Sequence, residues 1–220
     1  KQVPMTYVSP EPFLGHFGIG GLPHGETLLG MFLKKEKIHA IVDVSMDHVD
    51  DGRLTLADGR TIDFAYAMIV PPFLGQTYLA DSGIADAKGF VPVRDTYQAT
   101  DHDNVYAVGV AAAVPVPWHT PNAVGIPKTG FPAETQAHVA ARNIAAQIRG
   151  EVPSDHKEFG DIPAVCVMDA GNNGVIILGD KMLPPRKHGL LIPGPQAHVM
   201  KLAFEKYFLW KARHGHVTLP

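Results

Sequence analysis

The period of the apolar positions changes several times along the chain, and each change marks an element. Met5–Val8 (MTYV) is a short apolar run of strand length. Ser9-Pro10-Glu11-Pro12 and the glycine cluster His16–Gly21 interrupt it, and a helical pattern follows from about Glu26 to Lys37. From Ile38 to Val70 the pattern shortens into alternating segments. Asp51-Gly52 and Asp58-Gly59 punctuate them, and both dipeptides favour the tight turns of hairpins. The spacing predicts an antiparallel meander of Ile38–Val44, Arg53–Leu56 and Thr61–Tyr66, then a buried strand Ala67–Val70. Pro71–Gly75 leaves the sheet as an extended loop, and Asp101–Asn104 reads as a turn.

Val105–Val108 is a buried strand that ends at Gly109, where the missing side chain permits close approach over the strand end. A Pro-rich loop leads to Pro127-Lys128-Thr129-Gly130 and then to a helix. Ala137, Ala140, Ala141, Ile144, Ala145 and Ile148 give that helix its predicted apolar face. Thr129 and Gly130 occupy the N-cap region, and Pro132 suits the first turn. Free N–H groups at a helix start suit a phosphate or an electronegative ring edge. Strand, glycine, loop, lysine and helix together form a cofactor-cradle candidate. The same arrangement is most often purely structural in an α/β protein.

Glu151–Asp161 is polar and reads as a linker. Ile162–Leu178 carries two apolar runs around Gly171-Asn172-Asn173-Gly174, a hairpin with Cys166 in its first strand. A lone cysteine on an apolar strand is ordinarily a small buried hydrophobe. Gln196–Gly215 predicts a helix with Val199, Leu202, Ala203, Phe208 and Leu209 on one face and Lys201, Lys206, Lys211 and Arg213 around it. A basic amphipathic helix rich in aromatics faces a partner or a membrane surface, or packs on its own domain.

Composition narrows the classes. At 220 residues and 45% hydrophobic content, the chain can bury the core of one or two domains. A net charge of −3 without a basic run excludes a nucleic-acid footprint. One cysteine permits no internal disulfide, and the 12 histidines show no metal-ligand spacing, so no metal site is expected. A dinucleotide-binding GxGxxG loop is absent, and the chain opens in mid-pattern, which predicts the C-terminal half of a longer protein.

Four motifs carry a family resemblance: SPEPFLGH (Ser9–His16), PKTG (Pro127–Gly130), AVCVMDAG (Ala164–Gly171) and KLAFEKYF (Lys201–Phe208). Together they resemble sulfide:quinone oxidoreductases, of the two-dinucleotide-binding-domain flavoprotein superfamily. The turn Asn172-Asn173 departs from the family's usual Gly-Asp pair. The resemblance implies an α/β chain: a partial FAD/NAD(P)-binding, Rossmann-like fold of the glutathione-reductase type with a β-meander, plus a C-terminal α+β segment. Residues 1–85 would complete an NAD(H)-like domain, 86–150 an FAD-binding domain, and 151–220 a quinone-, dimer- or membrane-facing segment.

The implied activity is oxidation of sulfide to sulfur or polysulfide, with FAD as cofactor and quinone as acceptor. Cys166 would be the redox-active cysteine, in surroundings that favour its thiolate, with His16 near the sulfur chemistry. Its partner cysteine would precede Lys1. Gly109, Val110, Lys128, Thr129 and Gly130 would line the flavin, Lys128 stabilising negative charge on it, and Phe204 and Lys201 would meet the quinone. The resemblance further implies a peripheral protein of a prokaryotic cytoplasmic membrane and a homo-oligomer. The chain alone is expected to be inactive and to bind FAD weakly or not at all. Three alternatives stay open: a type II NADH:quinone dehydrogenase, the flavoprotein subunit of a flavocytochrome c sulfide dehydrogenase, and a non-catalytic interaction module.

Overall fold

Met5–Val8 forms strand β1, as its apolar run predicts, and its neighbour is β2 (Ile38–Ile41), paired in parallel. Parallel neighbours need a crossover, which α1 (Gly25–Lys35) supplies. The computed structural model describes residues 3–216. The chain divides into two units, one of Lys1–Leu74 with Pro115–Pro127, the other of Gly75–Val114 with Lys128–Pro220.

In the first unit the meander exists, but its first strand is not Ile38–Val44. That segment turns away at Asp43, whose φ is 56° and whose N–H is bonded to the Glu11 carbonyl at 2.8 Å. The meander is instead β3 (Met46–Asp50), β4 (Arg53–Leu56) and β5 (Thr61–Asp63), in that order. Its turns fall at Asp51-Gly52 and Asp58-Gly59, with both glycines at positive φ. β3 is exposed along its whole length, so it offers no apolar alternation to read. Ala67–Val70 forms no strand: Met68 is 81% and Val70 77% exposed. Pro71 restrains Val70, and neither Pro71 nor Pro72 has an N–H to extend a ladder. Leu33, Val44 and Leu56 are among this unit's buried side chains.

The second unit begins with a single helical turn, α2 (Thr77–Ala80). Next come β6 (Val91–Pro92), β7 (Gln98–Ala99), β8 (His102–Tyr106), β9 (Ala112–Ala113) and α3 (Gly130–Ile148). β6 pairs in parallel with β9, and β7 antiparallel with β8. In the segment 89–95, Val91 and Pro92 pair with β9 and Val93 bridges Ala99. The turn predicted at Asp101–Asn104 is shorter, because His102 already starts β8. Val91, Ala99 and Ala107 form one small core, and Tyr97, Val139 and Ala140 another.

Helix α3 buries a different face from the predicted one. Pro132, Gln136, Val139, Ala140 and Asn143 point inward, while Ile144 and Ile148 are exposed. Gln136 and Asn143 are inside because the backbone around them needs their hydrogen bonds. The Gly109 N–H donates to Gln136 Oε1 at 2.5 Å. Asn143 Nδ2 donates to the Thr96 and Asp155 carbonyls at 3.1 and 2.7 Å, and Asn143 Oδ1 accepts from the Asp155 N–H at 3.0 Å. Residues 151–161 are therefore no free linker: Lys157 N–H also bonds the Asp95 carbonyl, and Phe159 is buried.

The C-terminal part is a three-stranded antiparallel sheet, β10 (Ala164–Asp169), β11 (Gly174–Gly179) and β12 (Gly189–Pro193), with α4 (Pro195–Arg213) after it. The first two strands are the predicted hairpin, with Cys166 opposite Ile177. A Cβ on Gly174 would lie 2.2 Å from the Met168 carbonyl oxygen and 3.0 Å from the Ala197 Cβ, so glycine lets α4 approach the sheet closely. The predicted apolar face of α4 is not its packing face. Val199, Leu202, Phe208 and Leu209 are exposed, whereas Ala197 and Lys211 are buried. Lys211 Nζ sits 3.5 Å from Glu134 Oε1, an ion pair that joins α4 to α3. Among the described residues no helix is long and apolar enough to cross a membrane.

Candidate functional site

The predicted site residues fall into three groups. His16, in the first unit, is 2% exposed at the centre of a loop built around it. Its carbonyl accepts the N–H groups of Ile19 and Gly21 at 3.0 and 2.9 Å. Phe13 and Trp118 meet the imidazole edge-on, with centroids 5.3 and 4.6 Å away. The Gly18 N–H reaches His16 Nδ1 at 3.3 Å and Glu11 Oε1 at 3.1 Å. Glu11 Oε1 lies 3.7 Å from Nδ1. Burial pushes the Glu11 carboxyl above its ordinary value, against the Gly18 and Phe17 amides and the Ser9 side chain that favour its charge.

The second group surrounds the turn after β8. Gly109 opens a short 3-10 turn, Gly109–Ala111, with φ at 60°. A Cβ there would sit 3.0 Å from the Ala133 Cβ, so this turn packs directly on α3. Val110 is 47% exposed beside it. Lys128 Nζ donates to the Val110 and Ala112 carbonyls at 3.0 and 2.9 Å and lies 4.4 Å from the Phe90 ring centre. Burial lowers its pKa, opposed by the charge of Asp86. Lys128 therefore ties the PKTG loop to the turn with the same ammonium that was expected to face a flavin. Thr129 is the N-cap residue of α3 with extended backbone, and its side chain makes no capping bond. The sequence thus brings Gly109, Val110, Lys128, Thr129 and Gly130 to one place.

The third group lies on β10 and α4. Cys166 is an exposed free thiol. Its pKa is raised, chiefly by desolvation, while the Lys201 charge and the Val167 amide pull it down. Of the expected thiolate-favouring surroundings, the Lys201 charge and the Val167 amide are present; desolvation by neighbouring residues works against them although the side chain itself is exposed. Lys201 Nζ is 3.5 Å from the Val167 carbonyl. Phe204, 47% exposed, follows Lys201 along α4 and faces Phe208 at 6.2 Å between ring centres. One turn earlier, His198 Nδ1 lies 3.1 Å from an Asp169 carboxylate oxygen, a pair the sequence reading passed over. Glu11, Phe13 and Trp118 were also unassigned, although Glu11 and Phe13 sit inside the SPEPFLGH motif. Among the described residues no group of three or more metal-binding side chains converges.

No family model matches the chain. It is 34% identical, over 224 aligned positions, to the sulfide-quinone reductase of Aquifex aeolicus (strain VF5). The match takes in 99% of this chain and 51% of that relative. The chain matches one half of a sulfide-quinone reductase. It spans about half the length of the curated relative it matches. The solved structure of the sulfide:quinone oxidoreductase from Aquifex aeolicus superposes with a TM-score of 0.90 at 33% identity, covering 98% of this chain and 51% of that one. Reduced CoADR-RHD of Bacillus anthracis shares the fold at 17% identity, with a TM-score of 0.52 over 83% of this chain and 31% of that one. The fold is thus a part of the FAD/NAD(P)-binding, pyridine nucleotide-disulfide oxidoreductase type, as the motifs implied.

Proposed function

We propose that this chain is the C-terminal half of a flavoprotein that oxidises sulfide and passes the electrons to quinone. The observation that supports this most strongly is 34% identity spread over 99% of the chain, with a sulfide-quinone reductase as the relative. Residues 1–85, 86–150 and 151–220 would complete its NAD(H)-like, FAD-binding and quinone-facing parts.

The turn at Gly109 suits the edge of FAD. Thr129 makes no side-chain capping bond at the α3 start, and Gly109 holds a left-handed backbone against α3. Gly109, Val110, Thr129 and Gly130 would hold the isoalloxazine there, and Lys128 keeps the loop in register through its two carbonyl bonds. When bound, FAD supplies the two-electron acceptor that links sulfide to quinone. Cys166 would be one of two cysteines that accept sulfide sulfur, the second lying before Lys1. Sulfide attacks the bridged pair, the S–S bond opens, and a persulfide remains on one cysteine while the other leaves as thiolate. Lys201 favours the thiolate form of Cys166 by its charge. His16 would exchange the protons released by hydrosulfide. Phe204 and Lys201 would meet the quinone, and the exposed apolar face of α4 would lie toward partner subunit or membrane.

The test is anaerobic addition of sulfide or NADH to the two-half polypeptide while flavin absorbance is followed. Sulfide should bleach the flavin, and quinone should restore it. Bleaching by NADH alone would assign the protein to the type II dehydrogenases instead. A polypeptide without flavin would make the chain an interaction module.

A further inference from the structure

The loop from Ser9 to Gly21 both buries His16 and sets what its Nδ1 meets. The Gly18 N–H points at both His16 Nδ1 and Glu11 Oε1, at 3.3 and 3.1 Å. A donor aimed at Nδ1 requires a lone pair there, so the neutral ring must carry its proton on Nε2. The alternative tautomer would put an Nδ1–H against the Gly18 N–H, donor against donor.

What keeps Gly18 in place is Glu11. Its backbone is pinned on both sides: Glu11 N–H donates to Ser9 Oγ at 3.2 Å, and the Glu11 carbonyl accepts from Asp43 N–H at 2.8 Å. Its carboxyl then reaches seven residues along the chain to the Gly18 amide. Gly18 has φ 64° and packs closely on the Gly125 carbonyl, where a Cβ would lie 2.7 Å from the oxygen, so only glycine fits at this position. Phe13 and Trp118 fix the ring plane from two sides.

We propose that Glu11 is the positioning residue for His16, holding the Gly18 amide so that Nδ1 stays an acceptor and Nε2 carries the ring proton. The proposal rests on the reading of His16 as a proton-handling group of the sulfide-oxidising centre, yet its geometry is separate from that chemistry. If it holds, the ring proton sits on the Nε2 edge. Glu11 would act through its acceptor oxygen and its anchoring, not through contact with sulfide.

Imidazole NMR of the chain above pH 8, with the His16 signals assigned by their loss in His16→Gln, reads the tautomer directly. The wild type should show a single Nε2–H form. Glu11→Gln keeps an acceptor oxygen at the same reach and should leave that form unchanged. Glu11→Ala removes it and should give a tautomer mixture. An Nδ1–H form in the wild type, an altered tautomer in Glu11→Gln, or a wild-type spectrum in folded Glu11→Ala would each overturn the proposal. Should Glu11→Ala not fold, the wild type and Glu11→Gln still decide it. In the two-half polypeptide, sulfide bleaching should persist within twofold in Glu11→Gln and slow at least tenfold in Glu11→Ala. An Nε2–H tautomer in a protein that never bleaches with sulfide would sink the sulfide reading while leaving the Glu11 assignment standing.

Discussion

His16 and Cys166, the two side chains given the sulfur chemistry, sit in opposite surroundings. The His16 loop is closed: the ring is 2% exposed, walled by Phe13 and Trp118, with its backbone carbonyl taken by two amides. Cys166 is open. It lies on a strand where Val165 and Met168 are each 37% exposed, and the nearby charge is the ammonium of Lys201. A histidine that moves protons must keep its orientation, which packing enforces. A cysteine that accepts sulfur must be reached, which exposure permits. In the proposed roles, the loop would give His16 a fixed direction and the strand would give Cys166 access.

The largest effects should come from glycines that hold each region together. Gly174→Ala would drive a methyl into the Met168 carbonyl and Ala197, separating α4 from the Cys166 sheet, and should cost about 3 kcal/mol. Gly18→Ala combines a left-handed backbone with a backbone clash in the His16 loop and should cost about 2–3 kcal/mol. Urea midpoints read both; a wild-type midpoint in either variant would break the packing argument for that region. Next in size is the contrast between aromatic residues. Trp118→Ala opens the His16 wall and loses the Nε1–H bond to the Val124 carbonyl, for about 2 kcal/mol. Phe204→Ala removes a half-exposed ring from α4 and should change stability by less than about 0.5 kcal/mol. Equal losses would show that the α4 face is core after all.

The smallest predicted effect concerns charge. Lys201→Met removes the cation that pulls the Cys166 thiol down, so less thiolate forms at a given pH. Alkylation of Cys166 at pH 8 should slow about two- to fivefold, since a partly exposed charge is screened. The linkage has a definite sign. The thiol is raised in the fold above the ordinary value of a free cysteine. Cys166 thus contributes stability below about pH 8.5 that is lost as pH rises through the folded value. Cys166→Ser should flatten that alkaline decline in a urea titration across pH 8–11, roughly the range where thiols ionise; an unchanged slope would place the decline on other groups.

Local signals were legible in the sequence, and partner choice was not. Met5–Val8, the Asp-Gly turns, the PKTG entry into α3 and the Cys166 hairpin all follow from residues close in the chain. Ile38–Ile41 was misplaced because a parallel partner is chosen by α1 carrying the chain across, not by its own pattern. β3 was hidden because all its residues are exposed. Helix faces failed for a shared reason. Gln136 and Asn143 are buried by backbone amides and carbonyls that only the fold brings near, and Lys211 is buried by Glu134 from another helix. Hydrophobic period cannot register a polar residue whose partners are distant in sequence. Gly109, Val110, Lys128, Thr129 and Gly130 were legible because the strand end and the helix start each carry their own local signal, on either side of one Pro-rich loop. Glu11 was missed because its role depends on a fold-back to Gly18.

The most direct test of the account is the sulfide half-reaction in the two-half polypeptide, wild type against Cys166→Ser, followed anaerobically by flavin absorbance. The account predicts that sulfide bleaches the wild-type flavin, that quinone restores it, and that the serine variant keeps its flavin but loses bleaching by at least about a hundredfold. Bleaching at the wild-type rate in Cys166→Ser would contradict it and return Cys166 to the role of an ordinary strand residue.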